Sequence, residues 1–96
     1  MKYKLNVPLK ELDGNDVVGS NKQVVTVAQQ CILALCAQEE IDGIEKMKRG
    51  ELAEKIFKAK DEVEFTIEDV ALVKQLVGKY LSTLGVMQIW RLLEKA

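Results

Sequence analysis

The chain contains no histidine, and this absence excludes several kinds of chemistry. Its 96 residues include no histidine and two cysteines, Cys31 and Cys36. Ser–His and Cys–His nucleophilic pairs therefore cannot form within one chain. Two cysteines alone also supply too few ligands for a tetrahedral zinc site. We expect no catalytic residues, no metal site and no bound cofactor, and we predict that the protein is not an enzyme.

The spacing of Cys31 and Cys36 also argues against a disulfide. On a helix, residues five apart have Cα atoms about 7.5 Å apart along the axis and face directions about 140° apart. That distance is too long for a disulfide. Both cysteines are therefore predicted to be small, buried apolar residues.

Long apolar runs and glycine-rich loops are missing as well. No run is long enough to cross a bilayer, and the first residues lack the apolar core of a signal peptide. The six glycines stand singly, so no phosphate-binding loop is present in the sequence. We expect a cytoplasmic protein that neither enters nor crosses a membrane.

An excess of basic residues is the third absence. The chain has 14 basic and 15 acidic residues, a net charge of −1. Proteins that bind nucleic acids usually carry a basic excess for phosphate contacts, so the composition argues against that class. A hydrophobic content of 48% with 30% charged residues is typical of a folded globular chain, and the length predicts a single domain over residues 1–96.

Three short segments have the features of strands. Tyr3, Leu5 and Val7 alternate with polar residues, which predicts a strand with one buried face. Pro8 cannot donate to a ladder, so this strand is expected to end there or lie at a sheet edge. Residues 23–25 are expected to form a short return strand, and residues 63–65 a third strand.

Threonine caps predict where two helices begin. Thr26 with Gln29 three residues later is a capping box, and the following helix is predicted over residues 27–37. A start at Ser20 is the alternative, but the β-branched residues before Thr26 favour the later start. Thr66 is predicted to cap a second helix over residues 67–81.

The middle of the chain is predicted to be interrupted. Residues 39–50 are rich in charge and contain two glycines. Ile44 and Met47 are out of phase with the apolar positions that follow, so we expect a break near Arg49 and Gly50. A clean amphipathic pattern then predicts a helix over residues 51–60.

The last helix, predicted over residues 84–94, allows two interpretations. Its apolar stripe contains Trp90, which predicts core packing. Tryptophan is also enriched at protein contacts, and in that case Trp90, Met87 and Leu93 are the predicted protein interface.

A DNA-binding alternative uses the same part of the chain. The helices at 67–81 and 84–94, joined by a short turn, have about the lengths of a helix-turn-helix pair over residues 67–94. In that interpretation Gln88, Arg91 and Lys95 form the nucleic-acid face.

Two stretches resemble small uncharacterised proteins of tailed phages and prophages. They are Val7-Pro8-Leu9-Lys10-Glu11-Leu12-Asp13-Gly14 and the segment from Val63-Glu64-Phe65-Thr66, through Leu76-Val77-Gly78-Lys79, to Leu92-Leu93-Glu94. The resemblance covers about half of the chain. It implies a phage or prophage accessory or assembly protein of unknown specific role in the host cell cytoplasm, and it implies no activity.

These observations predict an α+β fold in which a small antiparallel sheet of two or three short strands packs against about four helices. The predicted function is a non-enzymatic protein-interaction module. Its partner would be a host or phage protein, or a second copy in a homo-oligomer, since the apolar arcs are broad for so short a chain.

Overall fold

Four helices and a two-stranded antiparallel sheet form the α+β fold in the computed structural model, which describes residues 1–95. The elements are, in chain order, β1 (Lys2–Tyr3), α1 (Val27–Leu35), α2 (Gly43–Lys58), β2 (Val63–Glu64), α3 (Ile67–Tyr80) and α4 (Thr83–Glu94). The predicted fold class is confirmed.

The sheet joins the start of the chain to its middle. Tyr3 of β1 lies opposite Val63 of β2, and both side chains are buried. The Tyr3 ring lies 5.6 Å from the ring of Phe65, and its hydroxyl donates to the carbonyl of Leu93 at 3.1 Å. One aromatic side chain thus connects the sheet to the last helix.

The predicted first strand is too long. Tyr3 and Leu5 are both buried, as the alternation requires, but the ladder with β2 ends at Tyr3. The reason is a change of partner, because the carbonyl of Leu5 accepts from the N–H of Ala28 at 2.8 Å. From Leu5 to Leu9 the backbone pairs with residues 25–28, which lead into α1 and form its first turn.

Residues 7–27 fold into three short segments that close on one another. The N–H of Leu9 donates to the carbonyl of Val25 at 2.8 Å, that of Val25 to Val17 at 2.9 Å, and that of Val17 to Leu9 at 2.8 Å. The three bonds form a closed ring of backbone pairs with a spacing of eight residues. We call this unit, residues 7–27, the backbone triangle.

A second set of bonds repeats the eight-residue spacing. The N–H groups of residues 11, 19 and 27 donate to the carbonyls of residues 15, 23 and 7, at 2.7, 2.9 and 2.9 Å. The turns match too, because Asp13 and Asn21 each accept from the N–H two residues later. Gly14 and Lys22, at equivalent positions, both have positive φ, 90° and 63°.

The return strand predicted at residues 23–25 is therefore not a strand of the sheet. Val24 forms a single bridge with Val18, and Thr26 forms one with Pro8. Each of the three segments forms only isolated bridges, because its backbone pairs with both of the other two segments. The triangle stays separate from the β1–β2 sheet.

The predicted helix starts at the two threonines are confirmed. The hydroxyl of Thr26 accepts from the N–H of Gln29 at 3.2 Å, and the Gln29 side chain accepts from the N–H of Thr26 at 3.3 Å. Thr66 and Asp69 form the same reciprocal pair before α3. The predicted ends at residues 37 and 81 extend past the observed ends of α1 and α3, and α4 begins one residue before its predicted start.

The predicted break near Arg49 and Gly50 is wrong. α2 runs without interruption from Gly43 to Lys58, and it includes most of the helix predicted at residues 51–60. Asp42 caps it by accepting from the N–H of Glu45 at 2.9 Å. A single glycine costs a helix interior about 1 kcal/mol, which a capped helix of four turns tolerates.

The helices pack around α1. Both α2 and α3 contact α1, and α4 packs on α3. The largest fully buried side chains come from several elements and make one core: Phe65, Ile56, Leu76, Ile89, Val73, Val77 and Cys31. Cys31 is buried, as predicted, whereas Cys36 is exposed because α1 ends just before it.

Replacing Lys22 by glycine should stabilise the fold. Left-handed backbone costs a residue with a Cβ about 1 kcal/mol, and its relief should exceed the entropy that glycine adds to the unfolded chain, for a net gain of about 0.5 kcal/mol. Urea denaturation measures the change. Gly14→Ala, at the equivalent turn, should instead destabilise by about 1 kcal/mol, and a destabilising Lys22→Gly would contradict this account.

Candidate interaction surface

The two halves of α2 present opposite kinds of residue to the rest of the fold. In the second half, Leu52 and Ile56 face the core and are buried. In the first half the inward residue is Arg49, which is also buried. The apolar residues of this half, Ile44 and Met47, point to solvent. The inward side of α2 is thus charged in the first half and apolar in the second. We call this change the inverted polarity of α2.

The exposed apolar residues of α2 are large and well exposed. Ile44 is 84% exposed, Met47 65% and Phe57 79%. Isolated exposed apolar side chains are normal on proteins, but several on one helix indicate a contact surface. At 100° per residue, Ile44, Met47, Gly50 and Phe57 span about 140° around the helix, and Gly50 lies between Met47 and Phe57. We call Ile44, Met47, Gly50 and Phe57 the α2 face.

Gly50 has no role in the folded chain that the structure reveals. Among residues 1–95, no group lies within 4 Å of the place where a Cβ would stand, and its φ is not positive. Glycine in an exposed helix interior costs about 1 kcal/mol relative to alanine. The residue therefore flattens the α2 face without allowing any close contact inside the chain.

Charged residues follow one another in blocks around the α2 face. Lys46 and Lys48 lie in the turn before Gly50, Glu51 and Glu54 in the turn after it, and Lys55 and Lys58 near the end of the helix. All six are exposed. Along the helix the order of charge is basic, acidic, basic.

Ion pairs hold the first half of α2 in place from the inner side. The Arg49 guanidinium contacts Glu39, in the loop after α1, and its Nε donates to Glu45 at 3.0 Å. Glu39 also pairs with Lys79 at the end of α3. The network joins three elements, so α2 is anchored there without using Ile44 or Met47.

This network changes the titration of its central carboxylate. Lys79, followed by Tyr80 and Arg49, stabilises the ionised form and lowers the pKa of Glu39 to about 2. The same interaction with Glu39 raises the pKa of Lys79, Arg49 and Tyr80. The charges of this cluster therefore stabilise one another.

The residues predicted as a protein interface have different surroundings. Leu93 is 3% exposed and lies in the core, so its side chain does not reach the surface. Met87 is half-buried. Trp90 is 36% exposed, and its indole N–H donates to the carbonyl of Lys74 at 3.0 Å. It lies against Gly78, where a Cβ would stand 3.0 Å from its ring, so Trp90 fastens α4 to α3.

The predicted nucleic-acid face is also divided. The Gln88 side chain accepts from the N–H of Lys10 at 2.8 Å and donates to the carbonyl of the same residue. It therefore fastens the backbone triangle to α4. Arg91 and Lys95 are exposed, and a nucleic-acid role for them stays a prediction.

The remaining chemistry is sparse in the described part of the chain. Burial raises the pKa of the Cys31 thiol to about 12, which disfavours the nucleophilic thiolate. An open groove of about 660 Å³ lies between the loop after α1 and α2, and Cys36, Glu39 and Arg49 are among its lining residues. Residues 1–95 include no group of three or more potential metal ligands. No helix in this range is long and apolar enough to cross a membrane.

A comparison of the chain with protein-family models, with curated proteins and with solved structures finds no match in any of the three.

Replacing Gly50 by alanine should stabilise the isolated protein by about 0.8–1 kcal/mol, because the helix gains propensity and no described neighbour obstructs a Cβ. Thermal or urea unfolding measures the gain. Gly43→Ala, at the first residue of α2, is the matched control and should have a smaller effect. A destabilising Gly50→Ala would show that another group occupies the space.

Acid should remove the contribution of Glu39. Its pKa is lower in the folded chain, about 2 against 4.5, so the ionised group stabilises the fold above pH 4.5 and this effect is lost as the pH falls towards 2. Glu39→Gln should therefore be less stable than wild type at pH 7, with the difference shrinking below pH 4.5.

Unfolding free energies across this pH range test the prediction. Glu40→Gln is the control, because Glu40 is exposed and forms no ion pair with any residue in the range 1–95. A Glu39→Gln difference that persists unchanged at pH 2 would contradict the assignment.

Proposed function

We propose that the protein is a non-enzymatic protein-interaction module that docks through the α2 face. The observation that carries the proposal is the inverted polarity of α2. In the first half of the helix, the buried Arg49 faces the rest of the fold and contacts Glu39, while Ile44 and Met47 are exposed. Exposed apolar patches rimmed by polar residues mark interaction sites.

The α2 face is also independent of the fold. Ile44, Met47 and Phe57 belong neither to the buried core nor to the half-buried residues packed against it. Gly50 has no described neighbour that needs it to be small. Residues that cost free energy in the isolated chain are explained when another molecule covers them.

The proposed setting follows from the resemblance to tailed-phage and prophage proteins. There the module would be an accessory or assembly protein acting in the host cell cytoplasm. The near-neutral net charge of −1 supports a protein partner over a nucleic acid.

The experiment uses the full chain as bait in bacterial host lysate, with matched variants. The double substitution Met47→Ser with Phe57→Ser should remove the captured partner. Its melting temperature should stay near that of wild type, since substitutions on the exposed surface change stability by about 0.5 kcal/mol or less.

Leu12→Ser is the control variant. Leu12 is 87% exposed but lies in a turn of the backbone triangle, away from α2 in sequence. It should leave capture unchanged. The same partner retained by the double variant, or lost equally with Leu12→Ser, would contradict docking through the α2 face.

A further inference from the structure

We infer that the α2 face binds a second copy of this chain, in a two-fold contact in which two antiparallel α2 helices cross at Gly50. This inference rests on the proposed function, because it names the occupant of the same face. The observation that selects a second copy is the order of charge along α2, which changes sign about Gly50.

The charges between residues 42 and 58 have opposite signs at equal distances before and after Gly50. Lys48 is the exception, because its counterpart is the apolar Leu52. The four pairs at equal distances are Asp42 with Lys58, Glu45 with Lys55, Lys46 with Glu54, and Arg49 with Glu51. No pair joins two charges of the same sign.

A two-fold contact between α2 helices makes use of this order. The same patch of each copy meets the other, and an antiparallel arrangement reverses the order of residues along the second helix. Residues at equal distances before and after Gly50 therefore reach the same level of the contact, where their charges attract. A parallel contact would bring each charge level with its own equivalent, and like charges disfavour that arrangement.

The centre of the contact is formed by Lys46, Gly50 and Glu54. They are four residues apart, so they lie along one ridge of the helix surface, and all three are exposed. In the commonest class of helix packing, such ridges of two helices align and the axes cross at about −50°. The two-fold then sets Lys46 of each copy beside Glu54 of the other, which gives two ion pairs across the contact.

Both charged residues of this ridge are available for a partner. Lys46 forms no ion pair with any residue in the range 1–95. Glu54 pairs only with Lys58, at 3.6 Å, and both of these side chains are mostly exposed. An exposed pair of this kind is weak, so it does not hold Glu54 back from the second copy.

The two-fold also gives Gly50 a role. A residue at the centre of such a contact meets its own equivalent, so Gly50 stands against Gly50 and the two backbones approach closely. Within residues 1–95 no group lies near the place of its Cβ, so the space is open to a second copy. Met47, three residues before Gly50 and 65% exposed, would be covered beside this centre.

The size of the α2 face predicts a weak dimer. Its three large side chains expose on the order of 400 Å² of apolar surface, taking roughly 150 Å² for each large side chain. This is about half of the surface that one side of a standard interface buries. We therefore expect a dissociation constant of roughly 100 μM, so that the protein is a monomer at about 1 μM and mainly a dimer at about 1 mM.

Analytical ultracentrifugation of the full chain over this concentration range measures the dissociation constant. Lys46→Glu should weaken the dimer about tenfold, because each of the two pairs then joins two carboxylates. Glu54→Lys should weaken it by a similar factor, because each pair then joins two lysines. Lys48→Glu is the matched control: it makes the same change of charge two residues away, outside the ridge, and should alter the constant by no more than about twofold.

Mixing the two weakened variants gives the reciprocal test. A dimer of one Lys46→Glu chain and one Glu54→Lys chain again has two pairs of opposite charge, so the equimolar mixture should dimerise at least as tightly as wild type. A mixture of Lys48→Glu with Glu54→Lys should dimerise more weakly, because one of its pairs still joins two lysines. All three positions are exposed, so each variant should fold like wild type, which circular dichroism and the melting temperature check.

The outcomes separate this inference from the proposed function. A protein that stays monomeric up to about 1 mM, but loses its lysate partner with Met47→Ser and Phe57→Ser, would reject the second copy and leave the proposed function standing. A dimer that those two substitutions leave intact would place the contact on another surface and reject the inference. A dimer that they weaken, but that the mixture of Lys46→Glu and Glu54→Lys does not restore, would reject the antiparallel contact at Gly50.

Discussion

The backbone triangle of residues 7–27 decides how the rest of the fold is placed. The backbone N–H and C=O groups of this stretch need partners, and a sheet of two residues per strand cannot provide them. The ring formed by Leu9, Val17 and Val25 provides them. Its third segment runs directly into Thr26 and so determines where α1 begins. Because α1 contacts both α2 and α3, the ring determines the position of the helical layer as well.

The starts of α1 and α3 were predictable because their signals are local. Thr26 with Gln29, and Thr66, satisfy backbone donors within one turn, so the sequence alone locates these starts. The triangle was not predictable in this way. Its segments share hydrogen-bonding positions at a spacing of eight residues but few side chains, and equivalent turn positions carry glycine at 14 and lysine at 22. Pairing of backbone atoms across such loops leaves little trace in side-chain periodicity.

The error at α2 has a specific physical cause. Ile44 and Met47 fall out of phase with Leu52 and Ile56, and a change of phase normally indicates the end of a helix. Here the helix continues and its environment changes instead, because Arg49 and its carboxylate partners replace apolar contacts on the inner side. The phase change was therefore a signal of the candidate surface. The pairs of Glu39 with Arg49 and Lys79 join three elements of the fold, and these could not be identified from the sequence.

The inward residues of α2 hold the helix in place, and its exposed apolar residues do not take part. The core holds the second half of α2 through Leu52 and Ile56, and the charged cluster around Glu39 and Arg49 holds the first half. Substitutions on the α2 face therefore change few internal contacts. Trp90 shows the opposite arrangement, since its exposed ring still fastens α4 to α3 through Lys74 and Gly78. Exposure alone thus does not identify a contact surface. The stronger criterion is exposure of several residues on one element that the folded chain does not use, and the α2 face satisfies it.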